Sequence, residues 1–217
     1  MKTNIRKMKV KPGINGLYAI TPDLADTNEL LQKVRLALQG GMRVLQYRNK
    51  TADAALKLAQ SRALRELTHE FKTCFIVNDD AQLAAQVDAD GVHLGSKDGK
   101  VAAARRLLGD TKLIGVSCYN RLSLAHEAVR QGADYVAFGA FFSSSVKPDA
   151  VKAETALLQA ACEELNVPIV AIGGITPSNG KVLMEAGADA LAVISALFDA
   201  PDIEFVAREF STLIWQG

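Results

Sequence analysis

The chain has 217 residues, of which 49% are hydrophobic, and a formal net charge of +1. That length and apolar content suit one larger domain with a single core. A field this weak argues against a nucleic-acid or anionic-membrane partner, and no apolar run approaches the length of a membrane span. Residues 1–13 are rich in Lys and Arg (Lys2, Arg6, Lys7, Lys9, Lys11) and read as a solvated, frayed extension. No apolar segment of signal-peptide type follows Met1, so no such leader is expected. The three cysteines, Cys74, Cys118 and Cys162, are far apart and odd in number, which suits free thiols in a reducing cytoplasm. The oligomeric state is not legible, and a homo-oligomer stays open.

In chain order, short apolar runs alternate with longer helical patterns. Strands are predicted at Leu17–Ile20, Val44–Gln46, Cys74–Val77, Gly91–Leu94, Leu113–Ser117, Tyr135–Phe138, Ile169–Ile172 and Ala190–Ile194. Most lack polar alternation, as strands buried on both faces do. Helices are predicted at Glu29–Gln39, Ala54–Glu70, Ala81–Gln86, Lys100–Leu108, Ser123–Gln131, Ala153–Glu164, Ser178–Ala186 and Glu204–Ile214. Leu30, Leu31, Val34 and Leu38 show the spacing of one apolar helix face. Gly40-Gly41, Gly132 and Gly187 follow helical runs as C-terminal caps do. Gly-Ala-Asp at 132–134 and again at 187–189 marks a repeated turn into a strand.

Eight strand–helix units predict a single-domain (β/α)₈ TIM barrel over residues 1–217. The alternative is an open doubly wound sheet, but no Gly-x-Gly-x-x-Gly turn follows the first strand.

A barrel of this kind carries its active site at the C-terminal ends of its strands, and polar residues gather there. The second strand ends in Gln46, Arg48 and Lys50, the third in Asn78, Asp79 and Asp80, and the fifth at Ser117. Ser96 and Asp98 follow the fourth, and Ser143, Ser144, Ser145 and Lys147 follow the sixth. The seventh ends in Gly173-Gly174 and the eighth at Ser195. Asp79 and Asp98 are the metal candidates, since Mg²⁺ takes oxygen ligands, often one or two carboxylates plus substrate phosphates. Each also reads as a helix cap, and Asp80 is assigned to that role for the helix at Ala81.

Arg48, Lys50 and Lys147 are anion candidates. Gly173-Gly174 with Ile194-Ser195 suits a phosphate held by bare backbone N–H groups, the alternative being a tight strand-to-helix turn. His93, inside the fourth strand, reads as an interior residue that orients its neighbours rather than as a general base. No Ser/His/Asp set and no Cys/His cluster is present, so the site is built for electrostatics and positioning. Two anion sites on one face imply a transferase that displaces diphosphate, with a metal and cations at one side and a monophosphate at the other.

Gln46-Tyr47-Arg48-Asn49-Lys50, Val77-Asn78-Asp79-Asp80, Gly91-Val92-His93-Leu94-Gly95 with Asp98, Gly115-Val116-Ser117 and Ala171-Ile172-Gly173-Gly174-Ile175 together resemble the thiamine phosphate synthase family, from about Leu17 to Leu197. The resemblance implies joining of a hydroxymethylpyrimidine diphosphate to a thiazole phosphate, giving thiamine phosphate and diphosphate. It implies that Gln46, Tyr47, Arg48, Asn49 and Lys50, with Asn78, Ser117 and Lys147, meet the pyrimidine diphosphate. It further implies that Asp79 and Asp98 bind Mg²⁺, and that Ser144, Ser145, Val146, Gly174, Ile194 and Ser195 hold the thiazole phosphate. Arg48, Lys50, Ser117 and Lys147 are the residues expected to act in catalysis.

The chain departs from the family at Asn49, where Glu is frequent, and at Val146, which has no side-chain donor where Thr is usual. Phe141-Phe142-Ser143 also replaces a commoner Pro-containing version. A related thiazole tautomerase carries a histidine after the fifth-strand serine, whereas here Cys118 and Tyr119 follow Ser117. A non-catalytic phosphate-binding barrel is the remaining alternative.

Overall fold

The computed structural model describes residues 13–95, 101–143 and 153–215. Eight parallel strands close into a barrel in sequence order: β1 Gly16–Ile20, β2 Val44–Tyr47, β3 Cys74–Asn78, β4 Gly91–Leu94, β5 Leu113–Tyr119, β6 Tyr135–Phe138, β7 Ile169–Ile172 and β8 Ala190–Val193. Pairing of Gly16 with Ala190 and of Leu17 with Leu191 joins β1 to β8 and closes the sheet. The helices are α1 Thr27–Gln39, α2 Ala54–Glu70, α3 Ala81–Gln86, α4 Val101–Leu108, α5 Leu122–Arg130, α6 Thr155–Glu164, α7 Lys181–Glu185, α8 Ser195–Phe198 and α9 Ile203–Trp215. None of the described helices is long and apolar enough to cross a membrane.

The period-2 geometry of a strand sorts each one between two cores. Tyr18, Ile20, Val44, Ile76, Tyr135, Ala137, Val170, Ala190 and Ala192 pack together in one buried cluster inside the barrel. Their strand neighbours Leu17, Ala19, Leu45, Phe75, Val77, Val136, Ala171 and Leu191 belong to a second cluster, shared with the helices. Covering both faces explains why the runs read as continuously apolar. Each large side chain in them contributes about 1.5–3 kcal/mol through burial. Helix starts are fixed chemically as well. The Asp26 carboxylate accepts from the N–H groups of Asn28 and Glu29 at 2.7 and 3.1 Å to open α1, and Asp53 accepts from Leu56 N–H at 2.8 Å to open α2.

The Gly-Ala-Asp repeat has a structural role at the base of the barrel. Asp134 accepts from the Ile114 N–H at 2.9 Å, and Asp189 accepts from the Ile169 N–H at 2.7 Å. Asp90, in Asp88-Ala89-Asp90, accepts from the Phe75 N–H at 2.8 Å. The carboxylate that leads into β4, β6 or β8 thus satisfies an orphan donor at the start of the preceding strand.

Most predicted elements shift at one or both ends, mostly by one or two residues, and three of the shifts have a visible local cause or consequence. The predicted helix at Ser178 begins only at Lys181, because Thr176–Gly180 forms a turn in which Asn179 accepts from Thr176 N–H at 2.8 Å. The final predicted strand stops at Val193, and Ser195 opens the short α8 instead. The fifth strand runs on to Tyr119, with a register shift between Ser117 and Tyr119. The expected basic extension lies outside the described residues except for Gly13, as do Ser96, Asp98, Ser144, Ser145, Val146 and Lys147.

Candidate functional site

At the C-terminal ends of β2 and β3 a cleft of about 430 Å³ opens, lined among others by Arg48, Lys50, Lys57, Asn78, Asp79 and Gln82. The residue after β1 fixes the backbone that presents Arg48. The Thr21 hydroxyl accepts from Arg48 N–H and donates to the Arg48 carbonyl, both at 2.8 Å. Asp23 then holds the guanidinium at 3.0 Å and accepts from the Lys50 N–H at 2.8 Å. Lys57 adds a third cation to the cleft from the first turn of α2.

Facing these cations is Asp79, whose backbone adopts φ 63°, a left-handed conformation that Asp and Asn tolerate better than most residues. Its N–H donates to the His93 carbonyl at 2.8 Å. One carboxylate oxygen accepts from Asn78 Nδ2 at 2.6 Å and the other from Gly95 N–H at 3.3 Å. The next residue, Asp80, is the N-cap of α3 and accepts from Leu83 N–H at 2.9 Å. Both adjacent carboxylates line the cleft, and Asp80 is the one engaged as the helix cap.

Two further expected ligand contacts, Tyr47 and Asn49, line the cleft and are also hydrogen-bonded to the protein around them. Tyr47 is buried against the outer core and donates to Gln60 Oε1 at 2.9 Å; its hydroxyl is pushed up to about 12, with burial the largest cause. Asn49 is only 4% exposed. Its amide donates to the Leu24 carbonyl at 2.7 Å, and its oxygen accepts from Thr51 and Ala52 N–H at 3.2 and 3.1 Å. A neutral amide makes all of these bonds; a Glu there would have no donor for the Leu24 carbonyl. Both side chains brace the strand end that carries Arg48 and Lys50.

Beneath the cleft the barrel interior also carries a layer of polar side chains. Gln46 Nε2 donates to Asn78 Oδ1 at 2.7 Å, and His93 Nε2 lies 2.9 Å from Ser117 Oγ. Burial drops the His93 pKa to about 4, so its ring is neutral at pH 7. Its two ring nitrogens lie within hydrogen-bond distance of the Tyr135 and Ser117 hydroxyls. Burial also raises the thiols of Cys74 and Cys118 to about 12, far from the thiolate form a nucleophile needs.

On the opposite side, Gly174 has φ 61°, and a Cβ there would lie 2.3 Å from the Ser143 carbonyl oxygen and 2.8 Å from Phe142 C. Glycine is therefore required by the close approach of the segment after β6. Phe142 N–H donates to the Gly173 carbonyl at 2.9 Å, which ties the two segments together. Ile194 is the residue before α8 and Ser195 its first residue; Ile194 packs on the interior cluster. The structure thus brings Gln46, Arg48, Lys50, Asn78 and Asp79 to one edge of the mouth. It puts Gly174 beside the segment that leads into Ser144–Lys147.

Sequence reasoning passed over Thr21, Asp23, Lys57, Asn179 and the interior pair Tyr18 and Tyr135. Thr21-Pro22-Asp23 follows a strand end like the other candidates, so the same rule finds it. Lys57 gives no such signal, because it sits on a helix face and reaches the cleft only through the packing of α2.

The thiamine monophosphate synthase family model matches residues 17–197. A thiamine-phosphate synthase of Methylobacillus flagellatus is 56% identical over 202 residues, 93% of this chain and 96% of that protein. One from Nitrosomonas eutropha is 50% identical, covering 92% and 94%. Among solved structures, thiamine phosphate pyrophosphorylase from Pyrococcus furiosus superposes with a TM-score of 0.84 at 34% identity, covering 93% of this chain and 96% of that one. With a match spanning all eight strands and relatives of this identity over nearly their full length, the chain belongs to the thiamine monophosphate synthase family.

Proposed function

We propose that the chain joins a hydroxymethylpyrimidine diphosphate to a thiazole phosphate, forming thiamine phosphate and releasing diphosphate. The observation that carries this reading, beside family membership, is the cleft in which Arg48, Lys50 and Lys57 stand with Asp79. Three cations suit a diphosphate leaving group better than a monophosphate. Arg48, held by Asp23, offers a planar donor pair, and Lys50 and Lys57 offer point charges.

The donor set fits Mg²⁺. The Asp79 carboxylate, which also accepts from Asn78 Nδ2 and Gly95 N–H, is an oxygen donor at the edge of the cleft, and this ion is commonly held by one or two carboxylates completed by phosphate oxygens and water. Asp98 is the proposed second ligand. When bound, the ion neutralises charge on the departing diphosphate.

The chain's own residues position the partners. Gln46, Asn78 and Ser117 hold the pyrimidine over the barrel mouth. Gly174, Ile194 and Ser195, with Ser144, Ser145 and Val146, hold the thiazole phosphate. Lys147 joins the cations on the diphosphate. Among the described residues of the barrel interior, His93 is buried and neutral and burial keeps the Cys74 and Cys118 thiols un-ionised, so none of the three offers an activated nucleophile. The reaction therefore runs as a dissociative displacement. The pyrimidine methylene C–O bond breaks with its electron pair leaving on diphosphate, the aminopyrimidine ring delocalises the positive charge, and the thiazole nitrogen captures the cation. Proximity and electrostatics supply the rate. The free thiols suit action in a reducing cytoplasm.

The test is incubation with both substrates and Mg²⁺ while diphosphate is measured. Release that needs both substrates supports the reading. Thiazole isomerisation without metal would point to a tautomerase, and binding without turnover to a non-catalytic barrel.

A further inference from the structure

Six of the eight strands contribute side chains to a single hydrogen-bonded chain across the barrel interior. In order it runs from Asp79, just past β3, through Asn78, Gln46 on β2, Tyr18 on β1, Tyr135 on β6 and His93 on β4 to Ser117 on β5. The successive heavy-atom separations are 2.6, 2.7, 3.1, 3.0, 3.1 and 2.9 Å. Tyr18 and Tyr135 are fully buried, and room is made for Tyr135: a Cβ on Gly115 would sit 2.0 Å from its ring carbon Cζ. An apolar residue at either tyrosine would fill a barrel core more cheaply than a buried hydroxyl that needs a partner.

The direction of donation along this chain is not free. Asp79 accepts at both oxygens, so Asn78 must turn its NH₂ to it and its oxygen to Gln46. Gln46 must then give its NH₂ to Asn78 and present its oxygen to Tyr18. The single Tyr18 proton goes to Gln46, so Tyr135 must donate to Tyr18. Having spent its own proton, Tyr135 can only accept from His93 Nδ1–H. A neutral imidazole with its proton on Nδ1 has a bare Nε2, which accepts from the Ser117 hydroxyl. Each step leaves one choice, because every member, Ser117 included, has the proton that faces its neighbour already committed.

We propose that Tyr18 and Tyr135 are positioning residues which carry this polarity across the barrel, hold His93 as the Nδ1–H tautomer, and present Ser117 to substrate only as a hydrogen-bond acceptor. On the proposed function, the group that meets Ser117 is then an N–H donor, the amine of the aminopyrimidine. A diphosphate oxygen, itself an acceptor, does not meet Ser117. The chain thereby selects an aminopyrimidine over its oxo analogue, since an oxo group would face Ser117 lone pair to lone pair. Burial keeps the His93 ring neutral and both phenols well above their ordinary pKa, so the pattern of donors holds at neutral pH.

The test is ¹⁵N NMR of the full-length protein labelled in its histidine rings, with the His93 signals assigned by their loss in His93→Gln. The wild type is expected to show a protonated Nδ1 and a bare Nε2. Tyr18→Phe releases Tyr135 to donate to His93, so the proton should move at least partly to Nε2. The Michaelis constant for the pyrimidine substrate should then rise about tenfold, with that for the thiazole phosphate unchanged. An oxo analogue of the pyrimidine should bind the wild type about tenfold or more weakly, and Tyr18→Phe should narrow that gap. A wild-type ring protonated on Nε2, or a Tyr18→Phe protein that melts lower but keeps the Nδ1–H tautomer, would overturn the proposal. The tautomer is read without turnover, so failure of the coupling reaction would count against the proposed function separately.

Discussion

Asp23 is ion-paired with Arg48 at 3.0 Å across the ends of β1 and β2, and the same carboxylate oxygen accepts from the Lys50 N–H. One side chain thus aims the guanidinium and fixes the turn that carries the second cation. Asp23→Ala should raise the Michaelis constant for the pyrimidine diphosphate about tenfold, through loss of a charge-assisted hydrogen bond that orients Arg48. The pair is partly exposed, so stability should fall by about 1 kcal/mol or less. Steady-state kinetics with each substrate varied in turn, beside a denaturant titration, separates the two effects. An unchanged constant for the diphosphate substrate would show that Arg48 does not depend on Asp23.

Asp79→Asn keeps a side chain that tolerates the left-handed backbone at this position but removes the charge. Turnover at saturating Mg²⁺ should drop on the order of a hundred- to thousandfold, matching several kcal/mol of leaving-group stabilisation. The circular dichroism spectrum should be unchanged. Near-normal turnover at limiting Mg²⁺ would remove Asp79 from the metal site.

Gly174→Ala should destabilise the protein by about 1–3 kcal/mol, since it forces a strained φ and a Cβ onto the Ser143 carbonyl. The displaced backbone leads directly into Ser144–Lys147, so affinity for the thiazole phosphate should fall more than affinity for the pyrimidine diphosphate. Thermal melting and the two Michaelis constants check this together. Equal loss for both substrates would argue against separate anion sites.

The same reading of residues made the barrel legible and left the inner polar chain hidden. Strands such as Ile169–Ile172 and Ala190–Val193 declared themselves because burial on both faces demands continuous apolar runs. Arg48 and Asp79 stood out as polar residues at abrupt strand ends. Tyr18 and Tyr135 did not, because an aromatic inside an apolar run is indistinguishable from core until partners 117 residues apart are brought together. Asn49 sits in the motif beside Arg48 and Lys50, yet its hydrogen bonds to Leu24 and to the turn at Thr51 and Ala52 are tertiary facts with no sequence signature. The later start of the helix predicted at Ser178 goes with a turn over residues 176–180, closed by the Asn179 side chain on the Thr176 N–H, which spacing alone does not reveal.

His93 makes stability depend on pH in a direction opposite to that of a salt-bridged histidine. Its folded-state pKa is lowered from 6.5 to about 4 by burial, so between those values the unfolded chain binds a proton that the folded one excludes. Stability should therefore be fully present above pH 6.5 and fall by about 1.4 kcal/mol per unit as the pH drops toward 4. Denaturant titrations at pH 7 and pH 5 should show this loss in the wild type and a smaller one in His93→Gln. An equal loss in both would place the acid sensitivity elsewhere.

The central claim is that the ends of β2 and β3 hold a diphosphate together with a metal ion. Calorimetric titration of inorganic diphosphate into the full-length protein, with and without Mg²⁺, tests it most directly. The expected result is one diphosphate bound per chain in the presence of Mg²⁺, weakened by about tenfold or more in Arg48→Ala and no longer metal-dependent in Asp79→Asn. Binding that ignores Mg²⁺ and is unaltered in both variants would contradict the account.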